Sequence, residues 1–377
     1  MCLSPSLASK EDMSMYGFEP NEEQQMLVEA IGRYAANDLQ PGAHDADEEG
    51  GWAPDVIEKG WQLGVLQASL PEAFGGFGEH SAVTGALAAE ALAFGDLAGA
   101  LAVMSPSAFA LPVLMAGSDE QKATWLPQVV EAEWKPYTAA VVEPSFNFTP
   151  TDLKTAALKD GDGYTLTGEK IYVPFADQAP ALLVYASLDG QTEAFIVPGD
   201  AEGLTIGERD QLLGIHALPT YHIGLQDVHV EAAARLDGGE PGMALPLAAS
   251  QVGTAAMAVG MSQAAHEYAL AYAKDREAFG KAIAQKQSIA FMLAEMAIEI
   301  EAIRLMVWEA AWQLDQGLAE APKSAYLALM GAADMAMMVT DRAVQILGGH
   351  GYIREHPVER WMRNGRGVAN LVGLALV

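Results

Sequence analysis

Two changes of hydrophobic period constrain this chain more than anything else in its sequence. Up to about Lys135 the apolar residues recur at helical spacing. Between about Tyr137 and Val230 they fall in short runs bounded by turn residues, and from Pro246 onward helical spacing returns in long stretches. An α, then β, then α order of this kind gives segregated helical and sheet layers rather than alternating βαβ units. The fold class is α+β: an N-terminal α-helical domain over 19–136, a middle antiparallel β domain over 137–240, and a C-terminal four-helix bundle over 241–377. A frayed tail at 1–18 precedes them.

Local signals support each part. Asn21-Glu-Glu-Gln offers a polar cap and an acidic first turn, and Leu27, Ile31 and Tyr34 follow at helical spacing. Pro71 to Glu79 is a Gly-rich break, Ala82 to Phe94 is apolar on nearly all sides, and Asp119-Glu-Gln-Lys caps a further helix. In the middle part, Asp162-Gly163 separates two strand-like runs as a hairpin turn does. The bundle helices are expected near 246–275, 285–316, 320–347 and 357–372, with Ala, Leu and Met on all faces.

Fifty Asp plus Glu oppose 21 Lys plus Arg, a net charge of −29. That field repels nucleic acid and anionic membranes. Because basic residues are scarce, their clusters are informative: Lys274, Arg276, Lys281 and Lys286 form one, and Arg354, Arg360, Arg363 and Arg366 another. Either island suits an anionic ligand. No uninterrupted apolar run reaches the roughly 18 residues of a membrane span. Met1 to Pro20 lacks the pattern of a signal peptide, and the single cysteine, Cys2, leaves no internal disulfide framework. These features read as cytoplasmic. No nucleophile elbow, phosphate-binding loop or zinc-ligand spacing is present, so no metal site is expected.

Two long segments carry a resemblance. Tyr272-Ala-Lys-Asp-Arg-Glu-Ala-Phe-Gly-Lys-Ala-Ile-Ala-Gln-Lys-Gln287 holds an Arg, then Phe-Gly-Lys, then a Gln eight positions after the Phe. Ala343-Val-Gln-Ile-Leu-Gly-Gly-His-Gly-Tyr352 is followed by Pro357-Val-Glu-Arg and Met362-Arg363. Leu213-Gly-Ile-His-Ala-Leu-Pro-Thr220 and Gly168-Glu-Lys-Ile171 are weaker echoes. In this order the motifs resemble the acyl-CoA dehydrogenases over about Glu19 to Leu374. The resemblance implies a middle β barrel between helical domains and FAD shared at a subunit interface. It also implies α,β-desaturation of an acyl-CoA thioester, in which a glutamate takes the α proton and the flavin accepts a hydride.

The resemblance divides the cofactor site into two halves. In the half given to a neighbour's FAD, Arg276 would pair with the pyrophosphate, Phe279 would offer an apolar face and Gln287 an amide. Gln345, Ile346, Leu347, Gly348 and Gly349 would let the cofactor approach backbone. Taken alone, Arg276 reads equally as a surface charge at a helix end, and Gly348-Gly349 as a helix cap. In the chain's own half, Thr-Glu-Pro-Gly-x-Gly-Ser-Asp has become Val142-Glu-Pro-Ser-Phe-Asn-Phe-Thr149, and Trp-Ile-Thr has become Tyr172-Val-Pro174. Hydroxyl donors and close-approach glycines are lost together. The two places where the family carries its base hold Val372 and Ser250. Losing a positioned base costs about 10²–10⁴ in rate. Glu143, in the retained Glu-Pro, reads as structural, and Glu231, Glu240 and Glu267 qualify only by residue type. His216, His222 and His229 read as surface or strand residues, and His350 and His356 have no assigned role.

The sequence therefore points to a non-catalytic subunit of a heteromeric acyl-CoA dehydrogenase, a form known among enzymes that shorten steroid side chains. A catalytic acyl-CoA dehydrogenase subunit would carry the acyl-CoA, and electron-transfer flavoprotein would be a further partner. An active homomeric enzyme with a displaced base, and a non-enzymatic scaffold of the same fold, are the alternatives.

Overall fold

A computed structural model of the chain describes residues 20–237, 242–374 and 376–377. Cys2 and Glu240 lie outside them. The N-terminal helices are α1 (Glu22–Tyr34), α2 (Gln40–Glu49), α3 (Pro54–Trp61), α4 (Val65–Ala68), α5 (Ala82–Gly95), α6 (Leu97–Met104), α7 (Ser107–Ala116) and α8 (Asp119–Val129). Asn21 caps α1 in a capping box with Gln24. A π-helical turn at Ala35–Leu39 leads directly from α1 into α2, where Pro41 cannot donate to a regular helix. The cap of α8 is Ser118, one residue earlier than the sequence suggests; Ser118 and Gln121 cap each other reciprocally.

The middle strands are β1 (Thr138–Ala140), β2 (Ala156–Asp160), β3 (Gly163–Pro174), β4 (Ala181–Leu188), β5 (Gln191–Pro198), β6 (Leu204–Arg209) and β7 (Thr220–Glu231). They form one seven-stranded sheet in the order β1-β4-β2-β3-β7-β6, with β5 on β4. The sheet is mixed, correcting the expected antiparallel domain: β1 and the start of β2 both run parallel to β4. Asp160 pairs with Gly163, so the β2–β3 turn is Gly161-Asp162, and Gly161 takes the left-handed backbone that a tight hairpin needs.

The bundle comprises α9 (Ala244–Asp275), α10 (Gln287–Asp315), α11 (Ala321–Leu347) and α12 (Val358–Gly365). The fourth helix is half the expected length. Gly365 and Gly367 end it, and a single 3₁₀ turn at Val368–Asn370 follows. α9 is long and apolar enough to cross a bilayer, yet its most apolar window is 83% buried among other helices, as in a core helix. It packs on α5, α10, α11 and α12.

One buried ion pair ties β3 to the segment that follows β1. Lys170 on β3 is fully buried and donates to Glu143 Oε1 at 2.9 Å and to the Val141 carbonyl at 3.0 Å. Glu143 also accepts the backbone N–H groups of Lys154 and Thr155. Burial pulls the Lys170 ammonium down to about 8 although Glu143 favours its charge. Glu143 is thus structural, as its sequence context suggests. Lys170→Met would leave a buried carboxylate without its counter-ion and should cost about 3 kcal/mol or more in unfolding free energy by urea titration. A loss below about 1 kcal/mol would contradict this role.

Candidate functional site

The two basic islands separate in the structure. Arg354 pairs with Glu48, Arg360 with Asp96, Arg363 with Asp47 and Glu359, and Arg366 with Asp341. That island ties α12 and its flanking turns to other helices. Among the described residues, none of Lys274, Arg276, Lys281 and Lys286 forms an ion pair, although the chain is acidic. Lys286 lies 5.5 Å from the Phe279 ring centroid, a cation–π distance. The first island is the one with charge to offer a ligand.

Local backbone shapes that face. Arg276 caps the C-terminal end of α9 and is exposed. Beyond it, β8 (Glu277–Ala278) and β9 (Lys281–Ala282) pair in a two-residue hairpin with Phe279 and Gly280 at its tip. Both tip residues have positive φ, +54° and +78°, as a type I′ hairpin requires. Phe279 is 97% exposed in that left-handed backbone. A bulky side chain both strained and solvated is an arrangement found at binding sites. Across from it, α11 ends at Gly348 with φ +60°, and a Cβ on Gly348 or Gly349 would meet nothing within 4 Å. Gln287 and Gln345 are exposed with free amides.

Ile346 and Leu347 face inward, which leaves only their backbone for the expected approach of a cofactor. Both side chains are 4% exposed and belong to the bundle core. They hold the end of α11 in place and cannot present side chains to a ligand. Arg276, Phe279, Gln287, Gln345, Gly348 and Gly349 remain on the surface. A hydrogen bond from α9 to the turn after α11, Tyr272 Oη to His350 Nδ1 at 2.8 Å, brings the two segments together.

The two glutamate positions also meet. Ser250 on α9 accepts the Gly373 N–H at 2.5 Å, placing it against the residue that follows Val372. Ser250 is 1% exposed and Val372 6%. Thr254, one turn along α9, donates to the Leu371 carbonyl. Past this clasp, Leu374, Leu376 and Val377 are also buried. Ser107 donates to the Leu376 carbonyl, and a Cβ on Gly85 would come within 2.8 Å of Val377. This last segment runs between α3–α7 and leaves a space of only about 20 Å³, room for about one water.

The chain's own flavin half is similarly changed. Val142 is buried and offers no hydroxyl, Phe146 projects fully into solvent, and Phe148 packs against the core. Tyr172 has a left-handed φ of +58°. A cavity of about 230 Å³ lies between Tyr172, Leu213 and α12, below the roughly 300–1,000 Å³ typical of ligand pockets. Its two arginines are already committed, Arg363 to Asp47 and Glu359 and Arg366 to Asp341. The described carboxylates that qualified by residue type or motif lie elsewhere. Glu143 is held by Lys170, Glu231 is exposed at the end of β7, and Glu267 lies on the far part of α9.

The other histidines have different fates. His222 and His229 lie on β7, close to Glu169 and Asp160. His216 is in the loop before β7 rather than on a strand, with Nδ1 2.6 Å from the Asp47 carbonyl. Sequence reading gave no role to His350 and His356, which form a ladder with Tyr272 and Tyr268. The available signal was the four-residue spacing of the tyrosines on a predicted helix.

Comparisons agree with the motifs. Family models for the acyl-CoA dehydrogenase N-terminal, middle and C-terminal domains match residues 21–133, 138–228 and 241–373. The chain belongs to the acyl-CoA dehydrogenase family. It is 33% identical to the short-chain specific acyl-CoA dehydrogenase, mitochondrial, of Bos taurus, covering 92% of this chain and 85% of that protein. Butyryl-CoA dehydrogenase from Megasphaera elsdenii is 32% identical with a TM-score of 0.85, covering 96% of each chain. A chain from the structure of the electron transferring flavoprotein of Acidaminococcus fermentans is 30% identical, again with a TM-score of 0.85 and 96% of each chain covered.

Within this acyl-CoA dehydrogenase fold, the Ser250–Gly373 bond keeps the final segment inside. Ser250→Ala leaves a buried N–H without a partner, at a cost of about 1–3 kcal/mol. Amide exchange at Gly373 should then accelerate about tenfold or more. Unchanged exchange there would show that the bond does not hold the segment.

Proposed function

We propose that this chain is a non-catalytic subunit of a heteromeric FAD-dependent acyl-CoA dehydrogenase, donating the ADP half of the FAD site to a catalytic partner. The observation that carries this reading is the closed centre. Ser250 and Val372 hold the two base positions without a carboxylate, and both are buried where the final segment packs on α9. The α carbon of a thioester is a weak acid, and its proton must pass to a positioned base. This chain offers none there, so the deprotonation falls to a partner that has one.

FAD, when bound, supplies the hydride acceptor. This chain's own residues suit one part of that cofactor and not the other. Arg276 can grip a diphosphate as a bidentate donor of permanent charge. The bare Gly348-Gly349 turn allows phosphate oxygens close to backbone, and Phe279 offers a ring face to a base. Val142, Phe148 and Pro174 offer a flavin ring no side-chain hydrogen bond, and Pro174 lacks even a backbone donor.

A surface for the partner is available on the bundle. Phe291, Ile298 and Leu305 lie seven residues apart on α10 at 58%, 64% and 43% exposure, and Tyr326 and Leu327 on α11 are about half exposed. A seven-residue apolar seam favours helix-on-helix association. Electron-transfer flavoprotein, suggested by the similarity to a chain from the Acidaminococcus fermentans structure, is the proposed acceptor of the electrons. The rival reading, an active homomeric enzyme, draws on the names of the relatives but needs a base that the centre lacks.

The visible spectrum decides between them. The chain purified alone should be colourless and should not bleach FAD in the presence of butyryl-CoA. Co-expressed with a neighbouring gene's acyl-CoA dehydrogenase chain that carries Glu-Gly-Thr near its end, it should yield a yellow complex with about one FAD per two chains. A fully flavinated homo-oligomer that butyryl-CoA bleaches would overturn the proposal.

A further inference from the structure

The Tyr–His ladder sits where the two segments of the donated half-site meet, and its chemistry extends the cofactor reading on which it rests. Tyr272 and Tyr268, one turn apart on α9, reach His350 Nδ1 and His356 Nδ1 at 2.8 and 2.7 Å. The imidazole rings stack with centroids 5.5 Å apart and planes 18° apart, and Tyr272 meets both edge-on. Trp361 closes the inner end against Tyr268.

This geometry fixes a tautomer. A phenol is a far stronger acid than a neutral imidazole N–H, so the tyrosine hydroxyl is the donor in each bond and Nδ1 the acceptor. Burial pushes the Tyr268 hydroxyl above its ordinary value, which keeps it protonated. A neutral ring carries one N–H, which is then on Nε2. Among the described residues nothing accepts from Nε2 of His350 or His356. His350 is exposed and follows Gly349 directly, in a turn whose glycines have open space where a Cβ would stand. Arg276 stands one helical turn beyond Tyr272, and its island is unpaired, whereas Arg354 is tied to Glu48.

We propose that His350 donates from Nε2 to a phosphate group bound over Gly348-Gly349, with Tyr272 as the positioning residue that fixes the donating tautomer. The ligand class is a diphosphate, whether that of a dinucleotide or free pyrophosphate. Arg276 supplies the charge, and the histidine supplies a directional donor at the second phosphate.

Calorimetric titration of the whole chain with inorganic pyrophosphate and with ADP tests this. His350→Ala should weaken both about ten- to a hundredfold, the loss of one hydrogen bond to a charged group. His350→Gln, which keeps an N–H donor, should recover most of that. Tyr272→Phe should cost about two- to fivefold with the midpoint of thermal unfolding unchanged. Arg276→Ala is the control for the cofactor reading. Binding that depends on Arg276 but not on His350 would overturn this inference and leave that reading standing. Pyrophosphate binding that depends on His350, without any ADP binding, would support the subsite and count against the dinucleotide. No binding of either probe would overturn both.

Discussion

The structure depends on the burial of α9. Its 32 residues are almost all Ala, Gly, Val, Met and Ser through the middle, and they pack simultaneously on α5, α10, α11 and α12. Small residues set the approach: a Cβ on Gly260 would strike the backbone of α5, so the two helices touch main chain to main chain there. The same rod carries both functional ends. Ser250 near its start clasps the final segment, and Tyr268, Tyr272 and Arg276 at its end build the basic face. Twenty-six residues at about 1.5 Å each separate Ser250 from Arg276, roughly 39 Å. One rigid helix therefore carries a buried clasp at one end and an exposed basic face at the other.

Electrostatics separate the same two ends. With 50 acidic side chains against 21 basic ones, most cations near the core are claimed. Arg360 pairs with Asp96 and Arg363 with Asp47, all four largely buried, and removing one partner of such a pair leaves a costly uncompensated charge. Arg304 is held by Glu90 and Glu301. Against that background the unpaired set around Arg276 stands out. Surface ion pairs contribute little stability, so leaving four cations unpaired costs the fold almost nothing while keeping a positive patch for an anion.

Much of this was legible in the sequence because it follows from period and motif. The α–β–α order, the cap at Asn21 and the buried α5 follow from local rules, and the structural Glu143 from the Glu-Pro that the family resemblance marks as retained. Other features depend on contacts distant in sequence. The parallel pairing of β1 and β2 with β4 joins strands separated by about thirty to forty residues and leaves no periodic signature. The early end of α12 reflects two glycines whose breaking effect competed with apolar residues that continue to Leu374. Ile346 and Leu347 belong to a motif that lies along a surface helix, and only their place on its inner side sends them to the core. The seating of Leu376 and Val377 beneath α5 and α7 depends on Gly85 and Ser107, nearly three hundred residues away.

The central claim is that the chain is open to a diphosphate at one end of α9 and closed to an acyl thioester at the other. Hydrogen exchange read by mass spectrometry tests both ends in one experiment, with ADP and butyryl-CoA as separate probes. ADP should slow exchange in peptides spanning 272–287 and 345–352, and butyryl-CoA should leave peptides around 250 and 371–377 unchanged. Protection of 371–377 by butyryl-CoA, or no effect of ADP near Arg276 and Gly348, would contradict it.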